Sequence, residues 1–374
     1  MPVNKDRIVQ EFVELVQVDS LSGREREMAD ALKAKLSKLG LEVMEDNAGD
    51  TIGGNAGNVI ARLPGNIASA PTLLFAAHMD RVAPGLSIKP VIRDETIYSD
   101  GTTILAADDI AGVAQMLESI RVLQEDRIDH GDIEFLFTIS EEGGLWGAKN
   151  LDRGLLKADY GYFLDGGGDV GTIITSAPAQ RKIDAKIIGQ PAHAGLEPEK
   201  GVSAIQVAAD AITRMSLGRI DEETTCNIGI IKGGIATNII PEQVELRCEA
   251  RSRDEAKLEK QVQHMTQQLE EAAARWGAQV QIDTELSYPA LNLGEDHPAV
   301  RLIVEAVNDL GLAPTLIPTG GGSDANILNG KGLPSVILGI GMEKVHSKEE
   351  YITIQQLVAG AELVLATIKA AATR

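Results

Sequence analysis

The stretch TLLFAAHMD, residues 72–80, decides the fold. Successive side chains of a strand point to opposite faces. A strand with no polar alternation is therefore covered on both faces, the condition of a parallel sheet sandwiched between helices. The run then ends in His78 and Asp80, polar groups placed where a buried strand emerges. In open α/β sheets, ligands gather beyond the carboxyl ends of the strands. The same stretch thus predicts both an architecture and a place for a site.

Working outward, NVIARL (58–63), IEFLFTISEE (133–142) and YGYFLD (160–165) also read as strands. Residues 5–16, 24–39 and 110–125 space their apolar positions as helices do, and LWGAKNLD (145–152) reads as a short helix. Strands and helices in alternation predict an α/β sheet with helices on both faces. Near residue 180 the pattern changes. RKIDAKIIG (181–189) is a strand, GVSAIQVAADAITRM (201–215) a helix, and CNIGIIKGG (226–234) and QVELRCEARS (243–252) are two strands. A long helix (254–277) and the strand AQVQIDTEL (278–286) follow. The order β-α-β-β-α-β is the ferredoxin-like split βαβ motif. The first pattern then resumes with a helix at 297–311, the strand PSVILGIG (334–341) and a closing helix at 353–372. We therefore expect one domain of residues 1–178 and 288–374, interrupted by an inserted domain of residues 179–287.

Charge and cysteine content narrow the function classes. Lys plus Arg total 35 against 55 Asp plus Glu, a formal charge of -20. No basic run of the kind that tracks a nucleic-acid backbone is present. Cys226 and Cys248 are the only cysteines, which is no disulfide framework. The expected setting is a reducing, cytoplasmic one. The N-terminus lacks the apolar core of a signal peptide. No run approaches the apolar length of a membrane span.

Acids and histidines recur where strands of the first domain end. They are His78 and Asp80, Glu141 and Glu142, Asp165, the pair Asp108–Asp109 before the 110–125 helix, and His346 after the strand at 334–341. Each alone has an ordinary reading: a satisfied polar pair, a helix cap, a Glu-Glu-Gly turn. All of them at one sheet rim do not. Uncompensated, such a cluster would shift several pKa values and destabilise the fold. Divalent cations resolve this, and ligands of His, Asp and Glu suit zinc, with cobalt or manganese possible.

The series HMD (78–80), AADD (106–109), SEEGG (140–144), FLDGG (163–167) and KVHS (344–347) resembles the M20 di-zinc peptidases, most closely their peptidase T branch of tripeptide aminopeptidases. The resemblance spans essentially the whole chain. It implies a zinc-exopeptidase-like catalytic domain, a mixed sheet between helices, with the ferredoxin-like insert as a lid and dimerisation domain. It implies two metal ions per chain. Asp108 bridges both, His78 and Asp165 complete one, and Glu142 and His346 complete the other. Asp80 holds His78 in its tautomer, and Glu141 is the general base acting on metal-bound water. For the substrate, a short peptide, it implies contacts from His193, Asn238, Arg251 and the glycine-rich loop at Gly321 and Gly322, with the histidine supplied across a homodimer.

GGGDVG (166–171) satisfies a dinucleotide-binding pattern, but the β-branched run TIITSAPAQRKIDAKIIG follows where a helix is required. A carboxypeptidase or an N-acyl amino acid deacylase shares the same expected metal core. An inactive binding protein would have lost a ligand or Glu141, and all are present. His130, His264 and His297 are expected to be solvated or capping groups.

Overall fold

Leu73–His78 is a strand with every residue buried. It pairs in parallel with Ile133–Thr138 on one side and Tyr160–Gly166 on the other. Ser335–Gly339 extends the parallel core beyond Tyr160–Gly166. Val59–Leu63 and Glu42–Glu45 are added antiparallel at one edge. Thr172–Ala177 pairs antiparallel with Ser335–Gly339, and Thr315–Pro318 lies parallel beside it. The sheet is therefore mixed, with its parallel, almost wholly buried strands at the centre. Phe75 stacks between Phe135 and Tyr162 on one face of it.

The structure is a computed structural model that describes residues 3–373. The chain divides into two units, one of Met1–Ser176, Leu293–Pro318 and Ser323–Arg374, the other of Ala177–Asn292 and Thr319–Gly322. In the first unit, Lys5–Val16, Ala107–Asp126, Pro298–Asp309 and Ile354–Ala372 pack together around the core. The last is long and apolar enough to cross a membrane by length and composition alone. However, 67% of that window is buried, as in the core helix of a folded domain.

A second sheet in this unit was not foreseen. Met342–Glu343, Tyr351–Thr353, Thr96–Ser99 and Pro90–Arg93 form four antiparallel strands. It is small, but it ties the chain before Asp108 to the chain around His346. Tyr351 pairs with Tyr98 and Ile352 with Ile97.

The second unit runs Ala179–Ile188, Ala204–Arg214, Thr224–Gly233, Gln243–Ser252, Glu255–Trp276 and Gln279–Tyr288, in β-α-β-β-α-β order. Its sheet order places Ala179–Ile188 between Gln243–Ser252 and Gln279–Tyr288, every neighbour antiparallel. Val207, Ala211, Leu258, Val262, Met265 and Leu269 from the two helices fill a core of its own against that sheet. Both cysteines are free and buried there.

Candidate metal centre

The parallel strands, a helix start and one loop bring the acids and histidines to one place. His78 is the last residue of its strand, Asp165 the penultimate residue of Tyr160–Gly166, and Glu141 and Glu142 follow Ile133–Thr138 after a short turn. Asp108 and Asp109 stand at the head of the Ala107–Asp126 helix with non-helical backbone angles. The peptide bond between them is cis. Ala106, Ser140, Leu145 and His346 all have positive φ, at 61°, 47°, 61° and 62°. Such backbone is costly for residues with a Cβ and persists where surroundings impose it, often at functional sites.

Asp108 lies between the two histidines. Its Oδ1 is 3.0 Å from His78 Nε2 and its Oδ2 is 3.2 Å from His346 Nε2. Asp165 Oδ1 is 3.8 Å from His78 Nε2, and Glu142 Oε1 is 2.6 Å from His346 Nε2. His78 Nδ1 is 2.9 Å from the carbonyl oxygen of Asp80. A carbonyl only accepts, so Nδ1 carries a proton and the neutral ring turns the lone pair of Nε2 toward two carboxylates. That arrangement is repulsive unless a proton or a cation lies between the ring and the acids.

The electrostatics point the same way. Burial alone would lower the His78 pKa, but its hydrogen bond with Asp108 and the charges of Asp108, Asp165 and Asp80 raise it well above the usual imidazole range. Hydrogen bonds to Asp108 and Glu142 push His346 up to about 10. Burial would raise Asp108, yet the two histidines hold it far below the usual carboxylate range. Burial, then the charge of Asp108 against the opposing pull of His78, takes Asp165 to about 8. Burial and the charge of Asp165 hold Glu141 well above its ordinary value. The cluster lacks positive charge.

The donor set fits divalent metal. Ligand atoms of His78, Asp108 and Glu142 lie within 4.8 Å of one another, as do those of His78, Asp109 and Asp165. The ion-pair partners of Asp108, Asp165 and Glu142 are histidines. Asp109 Oδ1 is buried without a hydrogen-bond partner.

Asp80 acts differently from what the resemblance implies, and Asp109, for which a helix cap and a supporting role are both open, takes the supporting one. Asp80 reaches His78 Nδ1 through its backbone carbonyl, while its carboxylate stays 3.6 Å away. The carboxylate instead accepts the N–H of Glu141 at 2.9 Å, the N–H of Glu142 at 3.2 Å and the hydroxyl of Ser22 at 2.5 Å. Those donors outcompete the ring, so Asp80 fixes the Glu141–Glu142 turn as well as the tautomer of His78. Asp109 does not cap the helix. Its Oδ2 accepts the backbone N–H of His78 at 3.1 Å. Sequence reading also missed Ser323, which donates to Asp165 Oδ2 at 2.9 Å, and Glu25, whose Oε1 accepts the N–H and hydroxyl of Ser140. Both contacts join residues far apart in sequence, and no local pattern announces them.

The expected substrate residues lie in the second unit. His193 is exposed, and its Nδ1 accepts the N–H groups of Gly195 and Leu196 at 3.1 and 3.2 Å. In the neutral ring the proton is then on Nε2, which is left as a donor. Asn238 is exposed, and its backbone carbonyl accepts the N–H of Ala194. Arg251 is held by both oxygens of Glu249, at 3.1 and 3.0 Å. Gly321 N–H donates to Thr319 Oγ1 at 3.3 Å. A Cβ on Gly322 would meet the Tyr288 ring at 2.3 Å. The remaining histidines have local partners: His297 caps the Pro298–Asp309 helix, His264 accepts the N–H of Ser216, and His130 Nδ1 meets the carbonyl of Gly131.

The metal-ready rim of a mixed sheet defines the class, and comparison with known proteins agrees. Residues 74–370 match the model of peptidase family M20/M25/M40, and the chain belongs to that family. It is 48% identical over 370 residues to the uncharacterized protein YqjE of Bacillus subtilis strain 168, covering 99% of this chain and 100% of that one. A solved structure described as aminopeptidase PepT from Bacillus cereus ATCC 10987 is 47% identical, with TM-score 0.93 and 99% of each chain covered. Another, described as a tripeptidase from Staphylococcus aureus subsp. aureus Mu50, is 45% identical, with TM-score 0.97 and 100% of each chain covered.

Proposed function

We propose that the protein is a two-metal exopeptidase that removes the N-terminal residue from short peptides, tripeptides foremost. The observation that carries this reading is Asp108, one oxygen facing each histidine, in a mostly buried cluster short of positive charge. Likeness to an aminopeptidase and a tripeptidase along the full chain supports the substrate class. His78 and Asp165 would hold one ion, Glu142 and His346 the other, and Asp108 both. Zinc is our assignment, with cobalt or manganese able to substitute. Bound there, such a pair polarises a carbonyl and acidifies water.

This chain's own groups do the rest. Asp80 locks the backbone of Glu141 and Glu142, so that Glu142 points at His346 while Glu141 is kept for proton transfer. Glu141 takes the proton of the attacking water and returns it to the leaving nitrogen. His193, with Nε2–H outward, donates to the oxygen that gains charge. Arg251, Asn238 and the loop at Gly321 and Gly322 orient the peptide. The β-α-β-β-α-β unit, residues 179–287 in our domain assignment, acts as lid and homodimer contact. Two free, buried cysteines are in keeping with a cytoplasmic setting.

A panel of free tripeptides, their N-acetylated forms and their C-amidated forms tests the reading. Cleavage should vanish on N-acetylation and survive amidation. Loss on amidation alone would make the protein a carboxypeptidase, and cleavage confined to N-acyl amino acids would make it a deacylase.

A further inference from the structure

Glu350 is buried, only 1% exposed, and both of its carboxylate oxygens are engaged. Oε2 accepts the N–H of Leu105 at 2.8 Å and of Ala106 at 2.9 Å, and Oε1 accepts the N–H of Asp108 at 3.1 Å. Those donors stand 245, 244 and 242 residues earlier in the chain. Glu350 follows His346 in the same loop, between Met342–Glu343 and Tyr351–Thr353. One side chain therefore gathers the backbone that presents Asp108 and ties it to the loop that presents His346. The pairing of Tyr351 with Tyr98 fixes the same two segments a few residues away. Glu350 is thus a fastening that reaches the backbone of Asp108 itself.

We propose that Glu350 is a positioning residue that sets the separation of Asp108 from His346, and with it the affinity and geometry of the ion those two would share. The inference rests on the metal reading above. The chemistry requires a carboxylate. Three N–H donors converge, and an ionised carboxylate is the side chain that offers acceptors only. Glutamine would turn an NH2 toward at least one backbone N–H. The left-handed backbone of Ala106, with φ of 61°, belongs to the segment that Glu350 gathers. Losing these acceptors frees that segment to relax and carry Asp108 away from His346.

The test is a zinc titration of E350Q, E350D and the unsubstituted protein, each shown to be folded by circular dichroism, with the visible spectrum of the cobalt-loaded forms. Removing a group that orients a metal ligand typically weakens metal binding about 10–100-fold. E350Q should lose affinity by about that factor for one of two ions and show an altered cobalt spectrum. E350D keeps the charge but is one methylene shorter, and should recover part of both. If E350Q does not fold, E350D alone decides, since its shortened reach must still shift the spectrum. Two zinc ions bound with unchanged affinity and an unchanged cobalt spectrum in the folded variants would overturn the role of Glu350. Fewer than two in the unsubstituted protein would overturn the metal reading itself.

Discussion

Asp108 and Asp109 are chain neighbours with different surroundings. Asp108 faces two histidine nitrogens, and Asp109 spends one oxygen on the backbone of His78. The sequence shows that two acids adjoin a helix start. It does not show which way each points, because that depends on the backbone angles at the turn and on partners from distant strands. The same holds for Asp80, whose nearness to His78 was legible while its grip on the Glu141–Glu142 turn was not. Residue identity and spacing mark the expected ligands, whereas supporting contacts such as Ser323 to Asp165 arise only when the chain closes on itself. The unequal pair yields a prediction. Asp108→Asn should cost both ions, and Asp109→Asn should leave both bound while loosening His78. Elemental analysis of the desalted variants reads this directly, and equal loss in the two would contradict the assignment of Asp108.

Among the elements, those with long apolar or periodic runs were legible. Leu73–His78 and Ile133–Thr138 are buried at every position, and Glu255–Trp276 follows a capping Asp254. The four-stranded sheet was not, because its strands have two to four residues. One signal was available: in VIRDETIY, two short runs with β-branched residues flank a two-residue turn at Asp94 and Glu95, both at positive φ, as tight hairpins require. The strand Thr224–Gly233 carries a prediction of its own. Gly218–Arg219 covers it only opposite Thr225 and Cys226. Beyond that, Ile230 and Ile231 are 40% and 55% exposed, on a stretch that no further strand flanks on that side among the described residues. An uncovered apolar edge invites pairing with another chain. If the proposed homodimer uses it, Ile231→Lys should bring the mass in light scattering to the 39.8 kDa of one chain. A dimer undisturbed by this change would place the contact elsewhere.

For the molecule as a whole, two separate apolar cores explain why the pattern of the sequence changes near residue 180 and changes back. The first unit contains every expected metal ligand, and the second contains the histidine, asparagine and arginine assigned to substrate. The loop at 319–322, which sequence order placed with the catalytic domain, groups with the second unit, because Gly322 lies under Tyr288. In the proposed reading, the acidic rim becomes a peptidase site when two cations neutralise it. One measurement tests it: return zinc stepwise to chelator-stripped protein, and follow bound zinc and free-tripeptide cleavage in the same sample. No cleavage is expected without metal, and activity should grow until about two ions are bound per chain. Full cleavage by the stripped protein, or no zinc bound at all, would contradict it.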